Sequence, residues 1–285
     1  MMATQREILD AYNRISSRIV NGTGERLANI FRLLDNWRDE DFERLLPLIE
    51  TTLAGAKGQA ANLQIEFYKQ MAQLSGETFT ATTARRADLS TEAIRNGAAT
   101  ATVYRRPFVD VYTALADNKS VTEAVEAGAT RISSLARTDI QLARSNAGLL
   151  ARNRNDRIVG YVRTLTGSEN CALCTIASTQ RYTRGDLLPI HPGCDCGEMP
   201  IFGEQDPGQV IDEVRLDQTY DSIEEQLQVS PDFGARDAGL GKVINSPTEG
   251  QKLADYTELV VTSEHGEYGP TLRWRDQDFT GPSDL

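Results

Sequence analysis

All four cysteines of this 285-residue chain, and one of its two histidines, fall within residues 169–201, in the order Cys171, Cys174, His191, Cys194 and Cys196. The spacing is C-x2-C, then sixteen residues, then H-x2-C-x-C. Tetrahedral zinc takes four soft or borderline donors, and two close pairs joined by a loop deliver them with little chain strain. The first pair, "CALC", wraps a metal within one turn. The second, "HPGC", has the same span, with Pro192 stiffening the turn and Gly193 permitting a backbone path that bulkier residues resist. Five donors for four positions put Cys194 and Cys196 in competition. The same cysteines would also allow a disulfide from Cys171 to Cys194 or Cys196, although a cytosol disfavours persistent disulfides. A nucleophilic cysteine beside His191 lacks an orienting third group.

Hydrolytic chemistry has one other place to reside. If His191 binds metal, the base of a serine hydrolase has to be His265, in "TSEHGEYGP", with Ser263, Glu264 and Glu267 close by. On a strand His265 and Glu267 share a face and Glu264 does not. Neither a G-x-S-x-G elbow nor an H-E-x-x-H helix occurs. The expectation for His265 is a turn residue bonded to its own loop, with catalysis by Ser263 and His265 as the alternative.

The elements that must position these residues divide into two textures. Over residues 1–166 the chain carries 22 Lys and Arg against 19 Asp and Glu, and over residues 167–285 it carries 8 against 22, within a net charge of -11. The halves therefore face different surroundings. Apolar residues at Ile8, Ala11, Tyr12, Ile15, Ile19 and Val20 repeat at helical spacing, and "NGTGE" predicts a break. Pro47 and Pro107 predict kinks or boundaries in later helices. Ser90 and Ser120 predict N-caps, and Glu123 completes a capping box for a helix of some thirty residues. "RIVGYVRTLT" is β-branched and aromatic and predicts a strand. Two short acidic helices, "DPGQVIDEV" and "YDSIEEQLQ", and two strands around Gly266 and Gly269 follow. The expected fold is mainly α, an extended helical N-terminal half over 1–156 with a small acidic α+β domain over 157–285 that carries a zinc-knuckle-like module. An apolar content of 40 % with no apolar run near the ~20 residues of a membrane span excludes a spanning helix. The charged amphipathic N-terminus does not read as a secretory signal, which predicts synthesis and retention in a cytosol.

"CALC…HPGCDC…PI" is similar to the cysteine-histidine segment of the phage head morphogenesis family, the MuF-like minor head proteins. The flanks "RTLTGSENCALCTIASTQRY" and "HGEYGPTLRWRDQDFTGPSDL" resemble the version found in phages of actinobacteria. Asp195 stands where the family more often has a basic residue. The resemblance implies a minor capsid protein that acts in procapsid assembly near the portal vertex, present in the host cytoplasm during assembly and then inside the virion head. Portal, scaffold or major capsid protein are the implied partners, and a capsid maturation protease is the alternative activity. The arginines of the long helix and its continuation, Arg131, Arg137, Arg144, Arg152, Arg154 and Arg157, offer a contact to packaged DNA. Their bland reading is a solvated helix face.

Overall fold

The computed structural model describes residues 4–80, 89–90, 98–165, 169–185, 196–203, 212–227, 260–265 and 269–274. The chain divides into two compact units, residues 1–158 with 184–194, and residues 159–183 with 195–285.

The first unit is built from α1 (Gln5–Arg32), α2 (Asp39–Leu74), α3 (Thr100–Ala116) and α4 (Val121–Asn153). Two capping boxes open α1 and α4. Thr4 accepts from the Glu7 backbone N–H while Glu7 accepts from the Thr4 N–H at 2.7 Å, and Ser120 and Glu123 repeat the exchange. Each box satisfies two N–H groups that a helix start otherwise leaves open. Between α1 and α2 the chain reverses through Trp37 at a φ of 52°, with the Asn36 and Trp37 N–H groups both donating to Asp41.

The predicted break at "NGTGE" does not occur, because α1 runs through it. Gly24 is buried there, and a Cβ on it would lie 2.7 Å from Ser133 Oγ and 3.0 Å from Arg137 Nε of α4. The residue serves close helix approach instead of a turn. The two prolines also lie inside helices and bound neither. Exposed Pro47 leaves its missing bond on the solvent side of α2, where the lost backbone partner can be replaced by water. The Ser90 cap cannot be followed into a helix, since residues 91–97 lie outside the described residues. The helix α3 starts from Ala99.

α4 packs against α1, α2 and α3. One apolar cluster, with Leu27, Phe31, Phe42, Ile49, Phe108 and Ile132 among its members, fills the region where the four meet. Phe108 stands edge-on to both Phe31 and Phe42. Further along, the interior becomes polar. Tyr104 donates to Asp139 at 2.8 Å with Lys57 Nζ 3.9 Å away, Tyr12 bonds Gln64, and Arg144 bonds Ser16. Buried charges persist only where such partners reach them.

The second unit holds β1 (Ile158–Thr164) from its second residue on, β2 (Glu169–Cys171), α5 (Ala172–Ser178), β3 (Arg181–Thr183), β4 (Gly197–Phe202), α6 (Glu213–Leu227), β5 (Val260–His265) and β6 (Gly269–Trp274). Its described strands form two three-stranded sheets, β3-β1-β4 and β2-β5-β6. β1 and β3 run antiparallel with Tyr161 opposite Tyr182, their rings stacked at 5.1 Å. β5 and β6 are the two strands expected there and pair antiparallel, and β2 pairs with β5. Where two acidic helices were expected, α6 takes in the end of the first and nearly all of the second. Residues 204–211 lie outside the described residues. The architecture is mainly helical with a small antiparallel β component, as the sequence pattern predicts.

Candidate metal centre

The first knuckle sits at a junction of elements. Cys171 is the last residue of β2, opposite Val261, and α5 begins at the next residue, so that Cys174 lies on its first turn. Cys174 is 3 % exposed. From the other end of the motif, Cys196 directly precedes β4 and is 1 % exposed. Both are present as buried thiols. His191 and Cys194 lie outside the described residues.

Tyr182 of β3 ties the sheet to α5, the helix that carries Cys174. Its hydroxyl donates to the Ala177 carbonyl of α5 at 3.1 Å. Burial pushes its pKa above the usual tyrosine value, the positive charge and hydrogen bond of Arg163 pull it back, and Cys174 and Cys196 add to the rise. Arg163 Nη1 lies 3.8 Å from Cys174 Sγ. Cys174 and Cys196 are thus two buried sulfur donors of one unit, the ligand type that structural zinc takes from cysteine. Among the described residues no group of three or more His, Cys, Asp or Glu side chains converges.

Arg163 and Tyr182 were not singled out by motif spacing. The signal was present all the same: a charged residue inside the apolar strand "RIVGYVRT" requires a partner wherever both faces of that strand are buried.

Ser263 and His265 occupy alternate positions of β5, paired with Thr271 and Gly269 of β6. His265 is thus the last residue of a strand, not a residue within the turn. Glu267 lies outside the described residues.

The arginines proposed for DNA need correction at two positions. Arg144 is 2 % exposed and Arg152 is 0 % exposed. Arg144 bonds Ser16 and lies over the Tyr12 ring, while Arg152 donates to the Tyr68 hydroxyl at 2.9 Å and the Arg184 carbonyl at 3.0 Å. Neither reaches a phosphate, because both guanidinium groups satisfy interior acceptors of the helical unit. Arg131 pairs with Asp110, and Arg157 forms a two-pronged bond with Glu77. Arg154 is exposed.

Long helices around a partly polar interior, with a separate small β unit bearing buried thiols, define a mainly helical protein with a cysteine-containing module. Residues 2–223 match the model of the VG15 protein family, and the chain belongs to that family. It is accordingly a bacteriophage protein associated with the virion. No curated protein and no solved structure matches it. Among the described residues no helix is long and apolar enough to cross a membrane.

Proposed function

We propose that the chain is a MuF-like minor structural protein of the phage head, acting in procapsid assembly near the portal vertex, with a structural zinc ion in its small unit. The observation that supports the reading is that Cys174 and Cys196, from the two ends of the segment on which the likeness to MuF proteins rests, are both buried against one sheet: Cys174 Sγ lies 3.8 Å from Arg163 of β1, and Cys196 leads directly into β4. Cys171, Cys174, His191 and either Cys194 or Cys196 would hold the ion. A bound zinc supplies cross-linking: it ties the β2–α5 junction to the start of β4 in a unit with few large apolar residues. The long helices offer side-chain faces for portal, scaffold or major capsid protein, and of the arginines named for acidic protein or packaged DNA, Arg137 and Arg154 stand beside Arg131 and Arg157, whose charges Asp110 and Glu77 already meet. The protein acts in the host cytoplasm during assembly and then inside the head.

Two experiments test this. Full-length protein purified under reducing conditions is expected to carry about one zinc per chain. Less than about half an equivalent, with Cys171→Ser harmless to folding, removes the metal. In infected cells, loss of the protein is expected to yield defective heads, while Ser263→Ala and His265→Ala leave capsid-protein processing unchanged. Loss of cleavage with normal procapsid assembly would establish a maturation protease in place of a structural role.

A further inference from the structure

We propose that the groove between α1 and α4 binds a carboxylate side chain of an acidic protein segment, with Arg137 as its anchoring cation. The proposal deepens the reading of the long helices as partner surfaces and rests on that reading, not on the metal. A pocket of about 440 Å³ opens between the two helices, within the ~300–1,000 Å³ of ligand clefts, and one face of each helix lines it. Gly24 lies against Ser133 and Arg137, while Arg32, about two turns further along α1, bonds Glu126. The helices therefore run antiparallel, and the two arginines mark opposite ends of the groove. Buried Ala28 and Ala129 give it a floor free of long side chains.

The two arginines differ in what meets them. Arg32 is held by Glu126 and Asn29. Arg137 is half-buried, and among the described residues no acceptor meets its guanidinium: Glu25 shares the pocket without pairing with it, and Nε is shut off from solvent with no hydrogen-bond partner. Burying a guanidinium is costly until an acceptor of opposite charge reaches it. Its stem rests against Gly24, where a Cβ would come within 3.0 Å of Nε and 3.1 Å of Cγ, so the lack of a side chain at Gly24 is what seats the group. Thr130, Ser133 and Arg137 follow at i, i+3 and i+7 on α4, which places two hydroxyl donors in line with the fork. A fork held this way loses little freedom when a carboxylate docks. Charge selects the ligand. The carboxylates of Glu25 and Glu126 border the same groove, so the closely spaced phosphates of duplex DNA would be repelled there, whereas a single carboxylate meets Arg137 alone.

The test titrates the full-length protein by calorimetry with a short peptide of alternating Glu and Ala, the same peptide with Gln for Glu, free glutarate, and duplex DNA. Wild type is expected to bind the Glu peptide and not the Gln peptide. Arg137→Gln is expected to weaken that binding by about 10- to 100-fold, the loss of a charge-assisted hydrogen bond expressed as an affinity ratio. Arg137→Lys, which keeps the charge and loses the fork, is expected to fall between. Gly24→Ala, which displaces Ser133 and Arg137, is expected to weaken binding as well, with circular dichroism confirming that each variant is folded. Arg6→Gln removes a cation of α1 outside the groove and is expected to bind as wild type does. A wild type that ignores the Glu peptide, an Arg137→Gln protein that binds it undiminished, or an equal loss in Arg6→Gln overturns the proposal. Glutarate bound as tightly as the peptide would assign the groove to a free small acid, and DNA binding lost in Arg137→Gln without peptide binding would assign it to phosphate; either overturns the protein segment as occupant. If the peptide fails to bind while the chain still cross-links to portal in procapsids, the groove proposal falls and the head role stands; peptide binding without such cross-links gives the converse.

Discussion

Changing Gly128 to alanine should destabilise the helical unit, although the same change in an exposed helix normally stabilises. Gly128 lies in the first half of α4. Alanine at such a position gains about 1 kcal/mol in helix propensity. Against this, a Cβ on Gly128 would lie 2.6 Å from Phe31 Cε1, 2.7 Å from Phe31 Cζ and 2.8 Å from the Pro107 carbonyl oxygen. The ring is 0 % exposed and held edge-on by Phe108, and the carbonyl is backbone, so neither yields cheaply. Overpacking of this kind costs about 1–3 kcal/mol, and contacts this short with backbone belong at the top of that range. The net expectation is a loss of about 2 kcal/mol. Gly55 of α2 supplies the internal control, because it is exposed and a Cβ there meets nothing within 4 Å. Gly55→Ala is expected to gain about 0.5–1 kcal/mol. Urea unfolding followed by circular dichroism at 222 nm reads both. With a urea dependence of about 2 kcal/mol per molar, Gly128→Ala moves the midpoint down by about 1 M and Gly55→Ala moves it up. Equal shifts of the same sign, or a Gly128→Ala protein as stable as wild type, would refute the packing argument.

Acid should weaken the helical unit in a defined window. The carboxyls of Glu77 and Glu126 are held below the ordinary glutamate value by hydrogen bonds from Arg157 and Arg32, and those of Glu7 and Glu123 by bonds within their capping boxes. A lowered folded pKa contributes stability that is present above the unfolded value, about 4.3, and is lost as pH falls through the lowered values. Denaturation midpoints measured from pH 7 to pH 3 should drop in that acid range, and Glu77→Gln should drop less than wild type. In the polar interior, Asp139→Ala strips Lys57 and Tyr104 of their shared carboxylate and should cost about 3–5 kcal/mol. Asp139→Asn, which keeps an acceptor for Tyr104, should cost less in the same urea titration.

The helix starts were legible because a capping box is a local pattern: Ser120 with Glu123 needs no knowledge of what α4 packs against. Glycine was misleading for the opposite reason. At Gly24 the local preference points to a break, and only the approach of Ser133 and Arg137 from a helix more than a hundred residues away explains why it lies inside one. Pro47 and Pro107 likewise do not bound their helices, since a helix held by the rest of its backbone bonds tolerates one missing bond. The arginines along α4 illustrate a further limit. Spacing alone does not say which of Arg144, Arg152 and Arg154 face inward, and the first two serve a polar interior that hydrophobic periodicity does not register. At the candidate metal centre, donor types and spacing were readable as sequence. Arg163 reaches Cys174 from β1 and Tyr182 reaches Ala177 of the same helix from β3, an approach that depends on the β3-β1-β4 pairing and that motif spacing does not register.

The role proposed in the head is tested most directly by cross-linking mass spectrometry on purified procapsids. Cross-links from residues of α1 to α4 to the portal protein, with few to major capsid protein distant from the portal vertex, are the expected result. Absence of the chain from procapsids, or cross-links confined to tail components, would contradict a portal-proximal minor head protein.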